Sequence, residues 1–355
     1  MKIAYLFHMN ETYGGVSKKI TSQIAVWKAN GHTVAAFQVT RTTQTSKEQW
    51  HVSRYNPSVR KLNTRLKAWD NAAKDILSWS PDVVYYRYDM YYPALRRLVE
   101  NIPVIVEINT DDAKEYCLSS PVSGLYNFLT RGLLLDGVSG MVFVANELAS
   151  SSHFQRFNKR HITIGNGINL EIYEQLPPAR NKYPCLVFMG SPGQPWHGVD
   201  KIVKLAQGQP LWRFDLIGIT QEALGAGNQE NIICHGYMDQ RDYLGLLAAA
   251  DIAIGTMALH RINMNEATPL KVREYLAFGL PTIIGYKDTD FPSGAPFLLE
   301  LSNCENNISE NMETIQAFVE KWMGIRVGRN EVTHLDLKEK ERQRLEFIKE
   351  VISDF

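Results

Sequence analysis

Cysteine is scarce in this sequence: there are four in 355 residues, Cys117, Cys185, Cys234 and Cys304, and no two fall in a CxxC spacing. That excludes a zinc ribbon and a disulfide framework and leaves free thiols in a reducing compartment. No apolar run reaches the ~20 residues needed to span a bilayer. Even the stretch 132–144 is interrupted by Asp136. The 38 basic residues balance the 38 acidic ones, so the molecule as a whole has no field that would gather nucleic acid. The GxGxxG fingerprint is missing as well, which counts against a nicotinamide-dependent oxidoreductase.

What is present is an alternation. With 45% of its residues hydrophobic, the chain is long enough for two cores. Apolar runs of strand length at 2–7, 33–39, 82–87, 103–107, 140–144 and 161–164 alternate with helical periodicities near 16–30, 63–79, 91–101, 123–135 and 146–157. The run 2–7 reads as a first strand, not as a secretion signal. A second series has strands near 185–190, 213–217, 231–235, 251–255 and 281–285, with helices near 198–206, 239–249 and 268–278 between them. Two helical segments, 308–323 and 336–352, close the chain. This is the pattern of two doubly wound α/β domains facing each other across a cleft, where a ligand would be expected. The domains are placed at 1–168 and 169–335. Residues 336–355 are assigned to a C-terminal helix that could pack back on the first domain, and 176–182 reads as a linker. Charge is divided unevenly: residues 1–170 hold 20 Lys and Arg against 13 Asp and Glu, and the remainder has the opposite imbalance.

Three segments have the composition of a binding site. Gly14 and Gly15 lie between a predicted strand and helix, where glycine lets backbone N–H groups approach an anion, although a purely structural helix entry would look the same. Gly190, Gly193, His197 and Gly198 repeat that arrangement at the first turn of the second domain. The third segment, Asn265 to Pro281, is the most specific. Pro269 suits a helix start, Gly279 a helix end, and Glu266 and Glu274 bracket the helix N-terminus between them. N–H groups there could hold a diphosphate while two carboxylates bind hydroxyls on either side, which matches the polarity of a sugar nucleotide.

At these residues the sequence resembles glycosyltransferase family 4, the retaining enzymes of GT-B fold. The E-x7-E element is matched by Glu266 and Glu274, within a Pro269-Leu270-Lys271 and Gly279-x-Pro281 context. The N-terminal glycine pair, Gly31-His32-Thr33-Val34 and the turn Asn166-Gly167-Ile168-Asn169 also fit the family. The resemblance implies that Glu266 contacts the donor sugar and Glu274 the ribose. Backbone near Leu270 and Gly15 would lie at the diphosphate, and Tyr237 and Met238 at the base. It also implies a UDP- or GDP-linked donor, a glycan or lipid-linked acceptor, neither metal nor cofactor, and surface polysaccharide or glycolipid synthesis in the cytoplasm or at the inner face of the membrane. The sequence departs from the family in two places. The second-domain glycine loop has no Arg, so His197, Arg261 and Lys271 are the candidate cations, and Asn109 stands where many members have a histidine, with Glu107 and Asp111 beside it on the acceptor side. A sugar-nucleotide epimerase, an inverting transferase and a non-catalytic nucleotide-binding scaffold are the rival readings. Basic residues from Arg54 to Lys74, interleaved with Leu62, Leu66 and Trp69, suggest an anionic membrane surface as a further partner or else a helix packed on its own domain.

Overall fold

A computed structural model describes residues 1–10, 15–41, 50–56, 61–224 and 229–353. The chain divides into two compact units. Unit 1 is Met1–Gly165 with Leu337–Phe355, and unit 2 is Asn166–Asp336.

Unit 1 is built on seven strands: β1 (Lys2–His8), β2 (Thr33–Thr40), β3 (His51–Arg54), β4 (Val83–Arg87), β5 (Val104–Ile108), β6 (Gly140–Phe143) and β7 (His161–Thr163). They lie in the order β3-β2-β1-β4-β5-β6-β7, and every pairing is parallel. Central strands of such a sheet are covered on both faces, and this is why Ile3 to Phe7 reads as an unbroken apolar run and Val104 to Ile108 as one interrupted only by the buried Glu107. Unit 2 has six: β8 (Cys185–Met189), β9 (Arg213–Ile217), β10 (Ile232–Gly236), β11 (Ile252–Ile254), β12 (Thr282–Ile284) and β13 (Leu298–Glu300). Their order is β10-β9-β8-β11-β12-β13, again all parallel. Strand order therefore reverses between β1 and β4 in unit 1 and between β8 and β11 in unit 2.

Strands β3 and β13 and the helix Asp112–Ser119 were not anticipated from the sequence. Segment 176–182, read as a linker, is instead bonded into unit 2: Leu176 N–H donates to Phe278 O, and Arg326 Nε to Pro177 O. The basic segment is largely a packing surface. In the helix Lys61–Trp79, Ala68, Trp69, Ala72, Ala73 and Ile76 are buried, and Arg65 turns onto Asp89 at 3.0 Å with its guanidinium 5.1 Å from the Tyr92 ring.

The C-terminal helix Leu337–Ser353 belongs to unit 1 and packs on the helix Gly15–Ala29 through a buried polar chain. Glu341 accepts from Gln23 Nε2 at 3.0 Å, Trp27 Nε1 at 2.7 Å and Arg344 Nε at 2.9 Å. Arg344 Nη1 donates to the Tyr85 hydroxyl at 2.7 Å, which donates in turn to Glu107 Oε2 at 2.7 Å. Glu107 Oε1 is held by Lys19. Burial alone would raise the Glu107 pKa, but Lys19, Arg344 and Arg87 overcome it and keep the carboxylate charged well below its usual range. Every polar group in this chain has a partner, so removing one member leaves the others stranded. Glu341→Ala is expected to cost about 3–5 kcal/mol, because it strands Arg344 together with the Trp27 and Gln23 donors. The readout is the chemical-denaturation midpoint of the full chain, and a shift no larger than that of an exposed Glu346→Ala control would refute the assignment.

Candidate functional site

The reversal between β8 and β11 places two loops at the carboxyl edge of the unit 2 sheet, where open α/β sheets bind ligands. The first, after β8, runs from Gly190 to Gly198 and enters the helix Val199–Gly208. Its path depends on close backbone approach: Gly218 has φ +82°, and a Cβ there would come 1.9 Å from the Gly190 carbonyl oxygen. A Cβ on Gly190 would in turn strike the Phe188 ring at 2.4 Å and His197 Nδ1 at 2.9 Å. The second loop, after β11, runs to Pro269 and enters the helix Leu270–Ala277. The loops are joined by Met257 N–H to His197 O at 3.2 Å and Ala258 N–H to Trp196 O at 3.0 Å.

Pro269 starts the second helix without a side-chain cap, so its first N–H groups are not satisfied by a capping side chain. Val272, Arg273, Tyr275, Leu276 and Ala277 face inward, which leaves Lys271 and Glu274, three residues apart, on one side. The Lys271 ammonium is buried 4.4 Å from the Phe188 ring centroid and has no hydrogen-bond partner among the described residues. Burial pushes its pKa down to about 7. Glu274 accepts from the Tyr243 hydroxyl at 2.7 Å. Glu266, four residues before the helix, is fixed by a parallel bridge to Lys287, with Ala267 N–H donating to Lys287 O at 3.2 Å and Lys287 N–H to Asn265 O at 2.9 Å. Behind them Arg273 is fully buried. It forms two bonds to Asp288 at 2.6 and 2.7 Å, one to Asp290 and one to the Asn166 carbonyl.

The three candidate cations have different fates. His197 is pushed down to about 3, by burial first and by Lys271 second, so it is neutral at physiological pH. Its Nδ1 faces the Ser191 N–H at 3.4 Å, which leaves Nε2 as the protonated nitrogen. Arg261 is committed elsewhere: both Nη atoms bind Asp200, at 2.8 and 2.7 Å, Nε and Nη2 engage Glu305, and Nη1 also reaches the Pro195 carbonyl. Lys271 has no hydrogen-bonding or carboxylate partner among the described residues, whereas Arg261 has two carboxylates and His197 is held neutral. Tyr237 and Met238 follow β10 at the outer edge of the sheet, and the Tyr237 ring is 85% exposed. A recess of about 250 Å³ is lined by Ser191 to Pro195, Val199, Asp200, Ile219 and Ala223.

In unit 1, Gly15 opens the helix Gly15–Ala29, and Gly14 lies outside the described residues. Glu107, expected on the acceptor side, is fully buried with both oxygens engaged and is an anchor of the core. Asn109 Oδ1 accepts from Arg87 at 2.8 Å and Lys19 at 3.3 Å. Asp111 caps the helix Asp112–Ser119 and pairs with Lys114 and His153. Ligand atoms of Asp111, Asp112 and His153 lie within 4.8 Å of one another, but Asp112 is already taken by Arg131 and Asn127 and Asp111 by its own partners. A second cluster was missed from the sequence: Asp89, after β4, gathers His8, Arg65, Tyr92 and Tyr116.

The sequence matches no protein-family model and no curated protein. Solved structures do match over essentially the full length. Sucrose-phosphate synthase from Thermosynechococcus elongatus is 13% identical over 100% of both chains, with a TM-score of 0.75. A glycosyltransferase from Rickettsia africae is 15% identical over 100% of both, with a TM-score of 0.69. Anabaena HepE in complex with UDP-glucose is 16% identical over 98% of this chain and 99% of that one, with a TM-score of 0.64. UDP-N-acetylglucosamine 2-epimerases are also among the structures of similar fold. At these identities the common property is architecture, and the chain has the two parallel-sheet α/β units of the GT-B fold.

Proposed function

We propose that the chain is a glycosyltransferase of the retaining, family 4 type that takes a sugar from a UDP- or GDP-linked donor and passes it to a glycan or lipid-linked acceptor in the cytoplasm. The observation that carries this reading is the Lys271 ammonium, buried without a hydrogen-bond partner among the described residues on the same side of a helix as Glu274, at the point where strand order reverses. Burying a cation without an anion is costly, and functional sites are where such costs are retained. A donor diphosphate would supply the missing anion and would also meet the helix N-terminus. Glu266 then binds hydroxyls of the transferred sugar and Glu274 those of the ribose. The neutral His197 offers its Nε2–H as a hydrogen-bond donor instead of charge, Gly190 keeps the loop tight beside it, Tyr237 and Met238 border the base, and Asn109 orients the acceptor. Attack on the face that the diphosphate leaves, with the diphosphate taking the acceptor proton, gives retention without a protein base. Fixed dipoles and Lys271 stabilise the charge of the leaving group, so no metal or other cofactor is required.

The direct test is turnover with a panel of nucleotide sugars, after thermal shifts with UDP and GDP have identified the base. Glu266→Ala and Glu274→Ala are expected to lower transfer by at least about 100-fold with the melting temperature little changed. Near-normal turnover in both would sink the assignment, and donor isomerised without any acceptor would favour an epimerase.

Lys271 gives a second test. Its pKa in the fold is about 7, against 10.5 for an ordinary lysine. Between those values the unfolded chain carries a proton that the fold does not, so ligand-free stability rises with pH across that window. Below about 7 both states are charged and the burial cost is present in full. Lys271→Met is expected to raise the melting temperature at pH 6 while weakening nucleoside diphosphate binding about 10- to 100-fold, the worth of a charge-assisted contact. In the parent, affinity should fall as pH rises above 7, and in Lys271→Met that dependence should vanish. Calorimetric titrations at several pH values decide it, and an equal pH dependence in both proteins would remove Lys271 from the site.

A further inference from the structure

The helix Pro121–Leu135 in unit 1 is amphipathic in the reverse sense. Its polar side chains point inward: Asn127 donates to Asp112 Oδ2 at 2.7 Å and Arg131 to Asp112 Oδ1 at 2.7 Å, all three buried. Most of its large apolar side chains point out, the buried exceptions being Leu134 and Leu135 at its C-terminal end. Val122, Leu125, Phe128, Leu129 and Leu133 are 79%, 60%, 71%, 65% and 59% exposed. Arg131 is the helix's one charged residue and it is turned inward, so the exposed face carries no charge over roughly 22 Å of helix. Scattered exposed apolar residues need no explanation, but five large ones on a single helix face do.

We propose that this face docks on the surface of an anionic lipid bilayer. Two observations select that occupant. Unit 1 carries 25 Lys and Arg against 18 Asp and Glu, and basic groups border the helix. Lys159 Nζ binds the carbonyl of Asp136 at its C-terminal end and Arg156 lies beside Gly132, whereas Arg96 on the neighbouring helix Pro93–Val99 is paired with Glu100 at 2.7 Å. An apolar stripe with cationic flanks suits insertion at the headgroup boundary, where the stripe leaves water and the flanks meet anionic lipid. A second copy fits less well. It would bring together two units of the same charge sign, and a helix face of about 22 by 10 Å covers a few hundred Å² at most, against about 800 Å² per partner in a stable interface. The membrane surface suggested by the sequence therefore moves from the segment 54–74, whose helix buries Ala68, Trp69 and Ala72 in its own unit, to the face of 121–135. The inference does not depend on the donor reading, and a chain that binds no nucleotide would still pass or fail its test.

The test is co-sedimentation of the full chain with phosphatidylcholine vesicles, with and without phosphatidylglycerol. Binding is expected with the anionic vesicles, weakening as salt is added. The double variant Phe128→Ser/Leu129→Ser should lower partitioning by at least about tenfold, since two large side chains no longer leave water. Leu125→Ser, elsewhere on the same face, should give a smaller loss in the same direction. All three positions are exposed, so unchanged melting temperatures will separate lost docking from lost fold. Absence of binding, or binding untouched by both variants, overturns the proposal. So does a dimer in analytical ultracentrifugation that the double variant disperses in a protein indifferent to vesicles.

Discussion

Every strand pairing in both sheets is parallel, and that constraint organises the rest. A parallel strand can be followed only by a crossover, so the carboxyl ends gather their loops at one edge, where most of them enter a helix. Where strand order reverses, the crossovers on either side leave in opposite directions and the loops between them are not covered by a helix. In unit 2 those loops are 190–198 and 255–269, and Gly190, His197, Glu266 and the start of the helix that carries Lys271 lie on them. The glycine contacts follow from the same geometry: Gly190 and Gly218 approach so closely that no side chain fits at either.

Within that edge, electrostatics distinguishes residues that composition cannot. Arg261, His197 and Lys271 all looked like phosphate cations. Arg261 spends its charge on Asp200 and Glu305, and His197 is buried too deeply to hold a proton. For Lys271 to be buried without compensation, the surrounding packing must over-determine its position. Phe188 beneath it, Val272 and Tyr275 in the core and the Arg273–Asp288 pair fix the helix so that the lysine cannot escape to solvent at low cost. The buried Arg273 pair contributes more to geometry than to net stability, because the cost of taking both charges out of water offsets much of their attraction.

How much of this was legible in the sequence depended on whether the signal was local. The long central strands and the crossover helices announced themselves through apolar runs and helical spacing. β3 and β13 did not, being short edge strands in which His51, Arg54 and Glu300 blur the pattern. Glu266, Lys271 and Glu274 could be picked out because Pro269 and Gly279 mark the ends of their helix. Arg273, within the same helix, carries no such local mark, because its partners Asp288 and Asp290 come from a different crossover. The Glu107 misreading has the same origin. Nothing near it in sequence tells that Lys19, Tyr85 and Arg344 will enclose it, since those residues come from three separate elements brought together by strand order and by the returning C-terminal helix. Arg65 was counted as part of a basic surface for want of Asp89, 24 residues on.

Unit 2 carries 13 Lys and Arg against 20 Asp and Glu, the mirror of unit 1. A net negative unit is an unpromising place for a diphosphate if charge is averaged over its surface, yet averaging is wrong at this range. Beyond ~8–10 Å exposed acidic groups are screened by salt, whereas a buried ammonium is not. One unscreened cation beside uncapped N–H groups can therefore outweigh several distant carboxylates, and the negative surroundings would help expel a nucleoside diphosphate once the proton it takes from the acceptor has passed to water and left it with an additional charge. The same screening argument runs the other way in unit 1, where the excess positive charge is at the surface. It can act only on something extended and close that presents many charges at once, as an anionic bilayer does and a single small ligand does not.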